Sequence, residues 1–153
     1  MDAEWPDRLA QVAVESFGTL GFMFPLDEAE AGAAGSLIEP ITVAVSFHGP
    51  RTGWVTLTAP SGLLPILAAN MTGDDGPISA EVQQDAFKEM LNVICGNLLP
   101  QLAGAEAVFD VGSPKIVDGQ NGLLAVGPTA TARLLLDAGQ VDVALFLAEV
   151  VKV

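Results

Sequence analysis

The chain has 153 residues, 50% of them hydrophobic, and six Lys and Arg stand against nineteen Asp and Glu for a formal net charge of −13. That length and apolar content suit one domain over residues 1–153 with a sizeable core, and they make extensive disorder unexpected. The acidic balance argues against nucleic acid, whose binding rests on cationic neutralisation of phosphates, and against anionic membrane surfaces.

The N-terminus carries Asp2 and Glu4 and lacks the basic-then-apolar pattern of an export signal. No apolar run is long enough to span a bilayer, and the single cysteine, Cys95, excludes an intrachain disulfide. A cytoplasmic protein is the expectation.

Trp5, Leu9 and Val12 recur at i, i+4 and i+7 and predict a helix over 4–20, with Pro6 harmlessly in its first turn. The acidic, small-residue segment 26–36 reads as a loop. Over 41–48, Ile41, Val43, Val45 and Phe47 alternate with Thr42, Ala44, Ser46 and His48, the pattern of a half-buried strand. The turn at 49–53 and the apolar run at 54–59 complete a hairpin. A short helix is expected over about 62–70, broken at 72–77 by a Gly- and Asp-rich stretch. Ser79 can then cap a long helix, with Glu81 in its first turn and Pro100 ending or kinking it near Leu99. Strands are expected around 107–111, 122–126, 129–136 and 141–151, with a turn at Ala138-Gly139. The sum is an α+β fold: a mainly antiparallel sheet with helices packed against it.

The long helix holds the most unusual surface. At about 100° per residue, Asp85, Glu89, Asn92 and Gly96 share one stripe roughly 60° wide. Phe87, Met90, Leu91, Ile94 and Leu98 fall on the opposite side. Asn and Gly are poor helix formers, so a stripe of carboxylates, an amide and bare backbone reads either as a chosen contact face or as an indifferent solvated one. Gly96 would let a partner approach the backbone, or would relieve crowding between helices inside the protein. Asp85 would touch a partner or simply solvate the helix. Elsewhere the chemistry is thin. His48, beside a hairpin turn, reads as a solvated surface residue, and Cys95 as a small packed one. No His or Cys cluster has metal-ligand spacing. Asp74-Asp75 and the carboxylates Asp27, Glu28 and Glu30 read as solvated loops, and no phosphate-cradling Gly-rich loop occurs.

Glu15, Gly18 and Pro40 lie 74 positions before Glu89, Asn92 and Pro114. This echo suggests two related halves in one domain, arranged about a pseudo-two-fold. The first copy has Gly18 where the second has Asn92.

Glu89-x-x-Asn92, with Asp85 four before the Glu and Pro114 twenty-two after the Asn, resembles the signature of the CheC/CheX/FliY chemotaxis phosphatases. The following Gly96-Asn97 is similar to that family's helix. One full signature and one degraded copy resemble CheX more than CheC. The resemblance implies a phosphatase of the phospho-aspartate of a CheY-type response regulator. It makes Asn92 the group that orients a water in line with phosphorus, and Glu89 the partner of a regulator lysine. Asp85 and Gly96 become partner-contact positions. The resemblance also implies no cofactor of the chain's own, with Mg2+ and charge stabilisation supplied by the regulator, and a homodimer whose sheet crosses the interface. These regulators are generally acidic, so binding to so acidic a chain would rest on local complementarity. Because Glu15-x-x-Gly18 lacks the amide, one site per chain is expected. The rival reading is a non-catalytic signalling module that keeps the fold and binds a regulator or another partner.

Overall fold

The computed structural model describes residues 4–27, 37–74, 76–117 and 127–148. The strand expected at 122–126, the end of the one expected to reach 151, and Glu28, Glu30 and Asp75 lie outside them. Helix α1 (Trp5–Gly21) buries Trp5, Leu9, Val12, Ala13 and Phe17. It closes at Phe22, which adopts a left-handed φ of 52° while the Met23 N–H donates to the Phe17 carbonyl at 3.1 Å.

Strands β1 (Pro40–His48) and β2 (Gly53–Pro60) form the expected hairpin, with Val43 opposite Leu57 and Val45 opposite Val55. Helix α2 (Leu63–Thr72) follows and stops at Gly73, whose φ of 74° suits a residue without a side chain. Helix α3 spans Ala80–Ala103. Two short strands, β3 (Asp110–Val111) and β4 (Lys115–Val117), both pair antiparallel with β1. A second hairpin, β5 (Ala130–Leu136) and β6 (Gly139–Leu147), completes the sheet. Every named pairing is antiparallel, in the order β3-β1-β2-β6-β5, with β4 also on β1. The second strands of the two hairpins, β2 and β6, meet at the centre.

Alternation decides which sheet face is buried. Val43, Val45, Phe47, Val55, Leu57, Val141, Val143 and Leu145 share one core with the apolar stripes of all three helices. This is the α+β arrangement that the pattern predicts. The opposite face carries smaller and polar groups, including a Thr42–Thr58 hydroxyl pair at 2.7 Å and an Arg133–Asp142 ion pair at 3.1 Å. That ion pair is exposed enough that it contributes little to stability. Phe146 also belongs to this second face, yet it is buried, because the Trp54 ring stacks on it with centroids 5.5 Å apart.

Two features depart from the sequence reading. Pro100 does not end the third helix, which runs through it to Ala103 and closes with the Gly104 N–H on the Pro100 carbonyl at 2.8 Å. Buried Leu98, Leu99 and Leu102 hold this last turn to the core, which offsets the one lost backbone bond. The strand expected over 107–111 shrinks to Asp110–Val111, and β4, beginning just after Pro114, adds a strand that was not expected.

Gly53 is required by the β2–β6 pairing. It sits opposite Leu147, and an ideal Cβ there would overlap the Phe146 carbonyl oxygen, a backbone atom that cannot swing aside. Gly53→Ala is therefore expected to cost about 1–3 kcal/mol, as other overpacking substitutions do. Urea denaturation measures it; an unchanged midpoint would mean that the strands are not this close. Among the described residues no helix is long and apolar enough to cross a membrane.

Candidate functional site

Helix α3 is capped at both ends and packed from below between Ala86 and Leu102. At its start the Ser79 hydroxyl accepts from the Val82 N–H at 3.2 Å, and the Gln83 side-chain amide donates to the Ile78 carbonyl at 2.9 Å. Glu81 lies in the first turn, where a negative charge complements the helix dipole. Ala86, Phe87, Met90, Leu91, Ile94, Cys95 and Leu98 are buried below, against α1, α2 and the β1–β2 hairpin.

The same rotation that buries those residues turns Asp85, Glu89, Asn92 and Gly96 outward, and all four are exposed. The structure thus places the four candidate residues on one continuous surface. Glu89 and Asn92 are about 4.5 Å apart along the axis, at about 1.5 Å per residue. The side chains of Asp85, Glu89 and Asn92 make no hydrogen bond or ion pair within the described residues. Their polar atoms are therefore directed at solvent or at a partner. An ideal Cβ on Gly96 meets nothing within 4 Å. Crowding between helices is thereby removed as the reason for this glycine.

The surface extends beyond the four. Val82, one turn before Asp85, is 39% exposed and adds an apolar group to the stripe. On the other flank, Val93, Asn97 and Gln101 face Glu15, Ser16 and Thr19 of α1 across a groove of about 360 Å³. Pro100 is exposed in line with Gly96. The i, i+4 spacing of Gly96 and Pro100 is visible in the sequence, but whether both lie on one helix depends on Pro100 not ending it.

The stretch Glu15-x-x-Gly18 on α1 differs from Glu89-x-x-Asn92 in access as well as in composition. Glu15 is exposed and pairs with the Gln11 side-chain amide at 3.3 Å. At Gly18 a side chain would first meet the Phe24 ring, 3.4 Å from an ideal Cβ. The α1 surface thus lacks the amide and has an aromatic ring at the place where an amide would grow.

The remaining candidates for chemistry stay apart. His48 is exposed at the end of β1. Cys95 is fully buried, and burial pushes its thiol up to about 11, so it stays protonated at neutral pH and is no thiolate nucleophile. Among the described residues, no three His, Cys, Asp or Glu side chains gather closely enough to hold a metal ion. Pro114 lies immediately before β4 and leads the chain into it.

A family model described as chemotaxis phosphatase CheX matches residues 41–135. The chain belongs to the CheX family. The match takes in all of α3, with Asp85, Glu89, Asn92 and Gly96, and leaves out α1, with Glu15 and Gly18. Solved structures agree in fold. CheX from Desulfovibrio desulfuricans is 16% identical over 93% of this chain and 97% of that one, with a TM-score of 0.68. CheX from Vibrio vulnificus is 16% identical over 95% and 97%, with a TM-score of 0.65. A complex of CheX with CheY, BeF3 and Mg2+ from Borrelia burgdorferi contains a chain 17% identical over 94% and 97%, with a TM-score of 0.59. At these identities the likeness is one of fold. No curated protein matches the chain.

Proposed function

We propose that this CheX-family protein accelerates hydrolysis of the phospho-aspartate of a CheY-type response regulator, with Asn92 positioning the attacking water and Glu89 anchoring the regulator. One observation carries the reading. The Glu89 and Asn92 side chains have no internal partner, and they project from a helix whose opposite face is fully buried, inside the segment that the family model matches.

The chemistry suits those groups. Phosphoryl transfer asks a catalyst mainly for positioning and charge stabilisation. A side-chain amide donates and accepts at once, so Asn92 can fix a water's orientation as well as its place. A helix packed against the core from Ala86 to Leu102 gives Asn92 a fixed base, and holding the water lowers the entropic part of the barrier. Glu89, one turn away on the same stripe, offers a carboxylate to a lysine on the regulator and sets the register of Asn92. Asp85 extends that anionic contact, and Gly96 lets the regulator's backbone come close. Magnesium belongs to the regulator in this scheme, as the CheX–CheY–BeF3–Mg2+ complex of the Borrelia relative supports.

The test is the decay of a purified regulator phosphorylated by a small-molecule donor, with and without this protein. Acceleration is expected, saturating with regulator concentration. Glu89→Gln should raise KM about tenfold, the scale of losing one charged contact at an interface, with kcat little changed. An unchanged KM would remove the anchoring role. Absence of any acceleration, with binding retained, would make the chain a non-catalytic module.

A further inference from the structure

We propose that Pro100 turns the Gly96 carbonyl into a hydrogen-bond acceptor for the regulator, extending the contact surface one turn beyond Asn92. This rests on the reading of α3 as the regulator-facing helix.

In an α-helix the carbonyl of residue 96 accepts from the N–H of residue 100. Proline has no N–H, and its ring crowds the carbonyl four residues earlier. The Gly96 oxygen therefore loses its ordinary partner while the helix continues to Ala103. Side chains nearby do not replace it: Asn97 and Gln101 make no hydrogen bond within the described residues. Gly96 is exposed and carries no side chain to cover its own carbonyl, and an ideal Cβ there would find open space. Pro100 is exposed beside it.

Glycine and proline are the two costliest residues in a helix interior. Here they stand four apart on the outward face of a buried-backed helix, where internal packing requires neither. Together they leave one acceptor without its ordinary N–H partner on the exposed face, one turn beyond Asn92. An acceptor takes a donor, so the group it meets is a backbone N–H, hydroxyl or cationic side chain of the regulator. Gly96 and Pro100 act here as positioning residues; the reacting atoms are left to Asn92.

The experiment compares Pro100→Ala, which restores the N–H, with Gly96→Ala, which covers the backbone with a methyl group. Each should raise KM for the phosphorylated regulator about fivefold, the worth of one hydrogen bond, with kcat within about twofold. Each should also raise the melting temperature, because a better helix former replaces a poor one. A purely structural role would move stability and KM in step; this proposal requires the variant to become more stable and to bind less well. An unchanged KM in Pro100→Ala, while Asn92→Ala still abolishes hydrolysis, overturns this inference alone. A rise confined to Gly96→Ala overturns it too, since close approach without the carbonyl would then suffice. A wild-type protein that does not accelerate hydrolysis overturns both this inference and the proposed function.

Discussion

Asn92→Ala is expected to slow the regulator's dephosphorylation by about 100-fold or more, to near the regulator's own rate, the scale of losing placement of a reacting group. The fold should be unaffected. The Asn92 side chain is exposed and has no hydrogen-bond partner within the described residues, so its removal orphans no buried group. Alanine is also the better helix former, by about 0.5 kcal/mol. KM should stay close to wild type, because the anchoring contact is assigned to Glu89. Asn92→Asp should fail as well: it keeps an acceptor, loses the donors, and points a negative charge at a phosphoryl group. The measurement is the single-turnover decay of phosphorylated regulator over a range of protein concentrations. Undiminished acceleration in Asn92→Ala would end the proposed mechanism.

Phe87→Ala is expected to have the largest effect on stability, about 3–5 kcal/mol. Phe87 is fully buried on the underside of the helix that carries the stripe, within the core shared with the sheet. A domain of this kind has only about 5–15 kcal/mol to lose, and the melting temperature should fall by roughly 10 °C at about 2–4 °C per kcal/mol. Below that temperature kcat should persist, because no outward group is touched. Chemical denaturation gives the first number and the phosphatase assay the second. A loss below about 1 kcal/mol would mean that the underside of α3 is not packed as described. Asn92→Ala and Phe87→Ala therefore separate the two faces of one helix: one removes activity without stability, the other stability without the chemistry.

Much of this was legible along the chain because it depends on local periodicity. The alternation at 41–48 and 54–59 gave both strands of the first hairpin within a residue or two at each end. Ser79 gave the start of α3, where its side chain does cap. The 100° rotation separated Asp85, Glu89, Asn92 and Gly96 from Phe87, Met90, Leu91, Ile94 and Leu98, and the burial follows that division. The three-residue strand β4 was not legible, because so short a segment becomes a strand only by pairing with β1 at Thr42–Ala44. Of the two readings of Pro100, an end or a kink, the end does not occur, because the cost of proline is local whereas burial of Leu98, Leu99 and Leu102 in the core offsets it.

The residues by themselves determined which groups are available for chemistry: one exposed histidine, one buried thiol, and an amide and a carboxylate three apart on a helix. They could do so because helix and strand periods assign each side chain to a face before anything packs. Only the tertiary structure decided what those faces meet. Long-range antiparallel pairing brought β2 against β6 and made Gly53 indispensable, while α1 delivered Phe24 to Gly18. The same packing left open space above Gly96. Such facts depend on contacts between residues distant in the chain, and no local pattern encodes the distance between them.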